Sequence, residues 1–278
     1  MAGSVSLPTT EEIEAAFCGR YRSLSLLNQG GQGIACKATS SDGTVVALKV
    51  YEASHVAERS DREVDALRQL KSERLVRLHD AGEIRINGTT FRFIATTFIA
   101  GKPLSDLIAT GPIELSGAVR ILADVIEAIS ELWSTQQIVH RDVKPENIIV
   151  TSRMRAVVID LGIARHLTRK TITTAGQTYG TYGYFAPEHF AARRLSYKAD
   201  VFAAGIVFEE MLIGAHPTAG RQELLLNGGP TLSSLGVNIP ALIEKLVDSM
   251  VAKHAYDRPT LDTILVTLNS FFSEKTEI

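Results

Sequence analysis

The sequence has few cysteines and no long apolar run, and each shortage narrows the possible classes of protein. Among its 278 residues only Cys18 and Cys36 are cysteines, and neither has a partner at the spacing of a zinc site or a redox pair. We therefore expect no disulfide framework and no zinc site. The longest apolar stretch, between Val201 and Ala215, is interrupted by two glutamates, and the N-terminus lacks the pattern of a signal peptide. We expect a cytoplasmic protein without a membrane span.

The sequence also has no excess of charge of either sign. Lys and Arg total 29 against 31 Asp and Glu, so the formal net charge is −2. This balance gives no global field that would attract nucleic acid or an anionic membrane, and no local basic cluster replaces it. Hydrophobic residues make up 45% of the chain, which is ordinary for a globular protein with a packed core. We expect no nucleic-acid partner.

The pattern of the chain changes near residue 100. Before it, short β-type runs predominate, such as Val45 to Val50 and Phe91 to Phe98, and Asn87-Gly88 is a hairpin turn signal. One amphipathic helix is predicted among these runs, between Val56 and Lys71. After Pro103 the predicted elements are helices, which span Leu115 to Trp133, Asp200 to Ile213, Ile239 to Ala252 and Leu261 to Phe272.

These patterns predict an α+β fold with two lobes. The predicted boundaries are a polar leader over residues 1–20, a β-rich lobe over 21–99, a mainly helical lobe over 100–273 and a tail over 274–278. The turn-forming stretch from Ala100 to Pro103 is the predicted hinge between the lobes.

Two features of the first lobe suggest phosphate binding. The glycine-rich stretch from Leu27 to Gly33 would let backbone amides approach phosphate oxygens, although glycines between strands also form plain turns. Lys49 lies in an apolar strand and is either solvated or an inward cation. Glu63 favours the second interpretation, because it falls on the apolar stripe of the predicted helix, where a carboxylate needs a cation.

The most specific motif is the run from His140 to Asn147, HRDVKPEN, which is followed by a short apolar strand and then by Asp160. Asp142 could orient an attacking hydroxyl and accept its proton, and Lys144 could neutralise transferring phosphoryl oxygens. Asn147 and Asp160 offer the hard oxygen ligands that divalent cations prefer. A charged loop without chemistry is the alternative interpretation.

These motifs, in this order, resemble those of eukaryotic-like (Hanks-type) Ser/Thr protein kinases and are similar to those of the bacterial members. The similarity runs from about Tyr21 to Phe272 and also includes Ala186-Pro187-Glu188, Asp200 and Arg258. It implies a bilobal kinase fold, with a small β-rich N-lobe containing one helix and a larger, mainly helical C-lobe.

The resemblance further implies an ATP site formed by Leu27, Gly30, Gly33, Ala35, Ala47, Lys49, Thr97, Ile99 and Ile149. In it, the four apolar residues Leu27, Ala35, Ala47 and Ile149 would enclose adenine. Thr97 and Ile99 would offer backbone hydrogen bonds, and Thr96 would be the gatekeeper beside them. The implied catalytic residues are Asp142, Lys144, Lys49, Glu63 and Thr181. Asn147 and Asp160 would hold Mg²⁺, although Mn²⁺ would satisfy the same ligands.

An activation segment from Asp160 to Glu188 is also implied. Arg141, which precedes the catalytic aspartate, resembles the arginine that pairs with a phosphate in kinases regulated through this segment. The predicted phosphate acceptors are Thr171, Thr173 and Thr174, with Thr173 matching best. Thr181 would bridge Asp142 and Lys144, as in Ser/Thr rather than tyrosine kinases.

The chain departs from the kinase pattern at several positions, but no departure removes a catalytic group. The unusual residues are Asn28, Gln32, Leu161, Thr97 and Tyr182.

We therefore interpret the chain as a kinase that transfers the γ-phosphoryl group of ATP to Ser or Thr of protein substrates, with autophosphorylation of the activation segment. A pseudokinase or scaffold that binds a partner without turnover is the alternative. A small-molecule phosphotransferase is disfavoured by Arg141 and by the peptide shelf that Ala186-Pro187-Glu188 would build. The sequence does not indicate an oligomeric state.

Overall fold

The computed structural model of the protein describes residues 7–30, 33–52, 64, 68–160, 183–191 and 195–276. Within these ranges the chain forms two compact units. The first contains the described residues up to Lys71 together with residues 76–99. The second contains residues 72–75 and the described residues from Ala100 onward. The division of the chain into lobes with the predicted boundaries stays a prediction.

The first unit is built on an antiparallel five-stranded sheet in the order β1-β2-β3-β5-β4. Its strands are β1 (Tyr21–Gly30), β2 (Gly33–Ser40), β3 (Val45–Glu52), β4 (Leu78–Ile86) and β5 (Thr89–Thr97). The predicted turn at Asn87-Gly88 joins β4 to β5, and Ile86 pairs with Thr89 across it. Both turn residues have positive φ, 50° and 82°, as a two-residue hairpin turn requires.

A helix that the sequence analysis missed packs on one face of this sheet. Helix α1 (Thr10–Ala16) follows a capping box in which the Thr9 hydroxyl accepts from Glu12 N and the Glu12 carboxylate accepts from Thr9 N. Ile13 and Phe17 are buried with the sheet residues, and the Phe17 ring meets the Phe93 ring edge-on at 4.9 Å. The prediction of a polar leader is therefore wrong for this segment, because Ile13 and Phe17 are part of the core.

The helix predicted between Val56 and Lys71 lies largely outside the described residues. Val64 is helical, and its carbonyl accepts from Arg68 N at 3.1 Å. Arg68 to Lys71 are not helical, so the helix ends before the predicted residue.

The second unit is mainly helical where it is described. Its α-helices are α2 (Leu104–Ile108), α3 (Leu115–Gln136), α4 (Tyr197–Ile213), α5 (Ala241–Met250) and α6 (Leu261–Thr276). The predicted apolar stripe of α3 is buried along its length, from Ala118 to Leu132. Helix α5 begins later than predicted, because Pro240 serves as its N-cap. Helix α6 continues past Phe272 to Thr276, so the predicted tail begins inside a helix.

The second unit also contains a small antiparallel sheet. Its strands are β6 (Lys102–Pro103), β7 (Ile148–Val150) and β8 (Ala156–Val158), in the order β6-β7-β8. β7 directly follows the motif at residues 140–147, and β8 leads into Asp160. Among the residues described, no helix is long and apolar enough to cross a membrane.

Candidate active site

The loop from His140 to Asn147 is held in place by the buried side chain of Asp200. This aspartate lies in the first turn of α4 and accepts the backbone N–H of His140 at 2.7 Å and of Arg141 at 2.8 Å. Burial raises the pKa of Asp200, while these two donors favour its ionised form. Arg141 has a positive φ of 66°, a strained conformation that the two hydrogen bonds to Asp200 support.

Three polar side chains of this loop lie together. The Asp142 carboxylate is buried, and its Oδ2 atom lies 3.6 Å from Lys144 Nζ. Asn147 Nδ2 donates to both the backbone oxygen of Asp142, at 2.8 Å, and its Oδ2, at 2.9 Å. The loop therefore presents a carboxylate whose orientation is fixed by an amide and whose charge is faced by an ammonium group.

Asn147 and Asp160 have the chemistry of a cation site. Both hydrogens of the Asn147 amide face Asp142, which leaves its oxygen as the group for a cation. A backbone hydrogen bond of 2.8 Å from Ile159 N to Asn147 O places the residue before Asp160 against Asn147. Asp160 has a φ of 53°. An amide oxygen and a carboxylate fit Mg²⁺ or Mn²⁺, which prefer hard oxygen ligands.

In the first unit, Lys49 lies on the sheet face opposite the core. Val46, Leu48 and Val50 of β3 are buried, whereas Ala47 and Lys49 alternate with them and are half-buried. The strand register pairs Lys49 with Ala35 and with Ile94, and it pairs Ala47 with Thr96. The sheet thus gathers predicted ligand-contact residues of β2, β3 and β5 on one face.

Three more of the predicted ATP-site residues lie on β1 and β2 beside the glycine-rich turn, and Thr97 ends β5. Leu27 is 48% exposed on β1, and Gly30 pairs with Gly33 across the glycine-rich turn. Gly33 has a φ of 113°, and a side chain there would collide with the Val50 carbonyl, so glycine is required. The Thr97 N–H donates to Arg77 O at 2.9 Å.

Ile99 and Ile149 are each half-buried and belong to different units. The structure therefore places Leu27, Gly30, Gly33, Ala35, Ala47, Lys49, Thr97 and Ile99 in the first unit, and Ile149 in the second.

The stretch from Gly183 to Phe190 is anchored by buried polar contacts. Glu188 forms a bidentate ion pair with fully buried Arg258, at 2.7 and 2.9 Å. The Tyr184 hydroxyl donates to Glu210 at 2.6 Å, and burial raises the pKa of both groups. Sequence reasoning missed Glu210 because it reads only as an interruption of an apolar helix.

Some predicted residues lie outside the described residues. They are Glu63, Leu161, Thr171, Thr173, Thr174, Thr181, Gln32 and Tyr182. Their roles stay predictions.

Comparison with known proteins decides the family. The sequence model of the family described as protein kinase domain matches residues 21–268. This chain belongs to the protein kinase domain family. The resemblance drawn from the motifs is thereby confirmed, as is the kinase-like α+β fold. Helix α1 lies before the matched region.

The chain is similar to bacterial Ser/Thr protein kinases. It is 34% identical over 254 residues to serine/threonine-protein kinase PknD of Mycobacterium tuberculosis, covering 86% of this chain and 38% of that protein. It is 30% identical over 262 residues to PknE of the same organism, covering 90% of this chain and 45% of PknE. PknH of Mycobacterium bovis is 32% identical over 253 residues, with 86% and 42% covered. This kinase domain thus spans less than half of the length of each relative.

Proposed function

We propose that this kinase domain transfers the γ-phosphoryl group of ATP to Ser or Thr side chains of protein substrates. The observation that carries the proposal is the cluster of Asp142, Lys144 and Asn147, because it combines a proton acceptor, a phosphoryl-neutralising cation and a cation ligand in one loop. The similarity to mycobacterial Ser/Thr protein kinases supports Ser and Thr as acceptors.

Each of these residues, and Asp160, has a proposed task in the transfer. Asp142 accepts a hydrogen bond from the substrate hydroxyl, orients it towards the phosphorus and takes its proton as the new oxygen–phosphorus bond forms. Lys144 faces the negative charge that develops on the transferring phosphoryl group. Asn147 and Asp160 would hold Mg²⁺, which, when bound, neutralises phosphate charge and favours departure of ADP.

ATP would be bound by the residues of the predicted site. Lys49 would position its α and β phosphates, with Glu63 as the proposed partner that positions Lys49. The half-exposed sheet face with Ala35, Ala47 and Lys49 supports this assignment, since it places a half-buried cation beside small apolar side chains. The carbonyl of Thr97 and the N–H of Ile99 are the proposed hydrogen-bonding groups for adenine.

The proposal extends to location and partners. The partners are protein substrates, the proposed location is the cytoplasm, where ATP is available, and no nucleic acid or membrane is proposed as a ligand. The two cysteines, Cys18 and Cys36, are free thiols, which suits a reducing compartment.

Autophosphorylation of the activation segment is the first prediction. Incubation with ATP and Mg²⁺ is expected to add phosphate to Thr171, Thr173 or Thr174, because Arg141 resembles the arginine that pairs with such a phosphate. Mass spectrometry of the trypsin-digested active enzyme checks this. Full activity with all three threonines unmodified would contradict it.

A transfer assay tests the proposed function. Wild-type protein, radiolabelled ATP, Mg²⁺ and a generic basic protein are expected to give phosphoserine or phosphothreonine on acid hydrolysis. Lys49→Met is expected to lose nearly all transfer, while Lys245→Met, at an exposed position of α5, keeps it. A scaffold would instead show no Mg²⁺-dependent transfer by the wild-type protein. Phosphotyrosine as the main product would contradict the Ser/Thr assignment.

A further inference from the structure

The three residues Gly183, Tyr184 and Phe185 are held by side chains rather than by secondary structure. They lie just before Ala186-Pro187-Glu188 and belong to no helix or strand. Gly183 N and Phe185 N both donate to Gln222 Oε1, at 3.0 and 3.1 Å. Gln222 Nε2 donates back to Phe185 O at 2.8 Å. The side-chain amide of Gln222 thus both accepts from and donates to the backbone of this segment, as the backbone of a neighbouring strand would.

His216 holds the other end of the segment. Its Nε2 lies 2.9 Å from Gly183 O, and its Nδ1 accepts the backbone N–H of Thr218 at 3.1 Å and of Gly220 at 3.0 Å. Because Nδ1 accepts two hydrogen bonds, the proton of the neutral ring is on Nε2 and is donated to Gly183. Burial lowers the pKa of His216, which favours this neutral form.

Close packing around residue 183 allows only glycine there. Gly183 has a φ of 112°, and a Cβ there would lie 2.8 Å from His216 Nε2. The Tyr184 ring meets the His216 ring edge-on at 4.8 Å, while its hydroxyl bonds Glu210. Gln222 is 5% exposed, so its amide has lost water and depends on these partners.

The segment from Gly183 to Phe185 lies beside Asp142, the proposed catalytic base. Asp142, Tyr184 and Phe185 line one small cavity of about 10 Å³, so a shift of the segment would change the wall next to the Asp142 carboxylate. The resemblance implies that the stretch ending at Glu188 forms a peptide shelf. It does not imply which residues hold the backbone of that shelf in place.

We propose that Gln222 and His216 are positioning residues for the protein substrate. They fix the backbone of Gly183 to Phe185, which in turn sets where the acceptor hydroxyl lies relative to Asp142. This inference rests on the proposed function and adds two residues from the stretch after α4, outside the kinase motifs of the sequence. Neither residue touches the reacting atoms.

Steady-state kinetics test the substrate role. In Gln222→Ala, the KM for a generic basic protein is expected to rise about tenfold, with the KM for ATP within about twofold of wild type. Gln222→Glu keeps the acceptor oxygen but loses the donor to Phe185, so an intermediate value is expected. His216→Asn keeps an acceptor near the Nδ1 position and loses the donor to Gly183, so it is expected to raise the same KM. Glu223→Ala, at the next and exposed residue, is the matched control.

Backbone amide exchange provides a readout that does not need activity. The amide protons of Gly183 and Phe185 are expected to exchange at least about tenfold faster in Gln222→Ala than in wild type or Glu223→Ala. Unchanged exchange, or an equal rise of both KM values, would overturn the positioning role while leaving the proposed function intact. A wild-type protein without transfer would overturn the proposed function and, with it, the substrate role, whatever the exchange shows.

Discussion

Asn147 divides its functional groups between structure and chemistry. Its amide hydrogens are both directed at Asp142, and its oxygen is left for a cation. The residue is buried, so the hydrogen bonds form away from water, where an unsatisfied acceptor is costly. One side chain therefore orients the proposed base and provides a ligand for the proposed metal.

Replacement of Asn147 tests both tasks, and replacement of an exposed asparagine provides the control. Asn147→Ala is expected to lower the free energy of unfolding by about 1–3 kcal/mol, because two acceptors of Asp142 lose their donor in a buried loop. It is also expected to reduce transfer by at least about 100-fold. Urea unfolding and the radiolabel assay measure the two effects. Asn238→Ala, at an exposed position before α5, is the control, and equal stability of both variants would contradict the role of Asn147.

At this scale the sequence predicted which residues belong together but not how they are bonded. Asp142, Lys144 and Asn147 are neighbours in one run, so their proximity follows from spacing alone. The hydrogen bonds of Asp200 to the loop, and those of Gln222 to Gly183 and Phe185, join residues 37 to 60 positions apart. No local pattern predicts such pairs.

At the scale of elements, periodicity decided which predictions succeeded. Helix α3 and strand β3 have clear repeats of 3.6 and 2 residues over their length, and both were predicted. Helix α1 is short, and its two buried apolar residues, Ile13 and the C-cap residue Phe17, are only one helical turn apart. This is too short for a periodic pattern. The capping-box pattern of Thr9 and Glu12 was present in the sequence and would have revealed it.

The importance of α1 can be measured by truncating its buried residue. Ile13→Ala is expected to lower the free energy of unfolding by about 2–5 kcal/mol, because a fully buried side chain would leave a cavity. Glu11→Gln, exposed on the same helix, is expected to change stability by less than about 0.5 kcal/mol. Urea titration followed by circular dichroism compares them. Equal midpoints for the two variants would show that α1 is not part of the core.

At the scale of the whole molecule, a buried carboxyl group should make folding depend on pH. Glu209 of α4 is fully buried, and its oxygens have no hydrogen-bond partner in the part of the chain that the structure describes. Burial, with a smaller contribution from Asp248, raises its pKa from 4.5 to about 9. Its proton is therefore kept in the folded state at pH values at which the unfolded chain has lost it.

The sign of this dependence follows from proton binding. Between pH 4.5 and about 9 the folded state binds the extra proton, so the contribution of Glu209 to stability falls as pH rises through this range. The slope is at most about 1.4 kcal/mol per pH unit. Glu209→Gln is expected to flatten the curve of unfolding free energy against pH from 6 to 9. Parallel curves for wild type and variant in urea unfolding would rule out a titrating Glu209.

The most direct test of the whole account is phosphoryl transfer by Asp142→Asn. The amide is nearly isosteric but cannot accept the proton of the substrate hydroxyl, so transfer from radiolabelled ATP to a basic protein is expected to fall by about 10²–10⁴-fold. Asp106→Asn, at an exposed position of α2, is the control and should retain wild-type transfer. Both variants should keep the wild-type circular dichroism spectrum. A folded Asp142→Asn protein with activity within about threefold of wild type, an effect under about 0.7 kcal/mol on the barrier, would contradict the account.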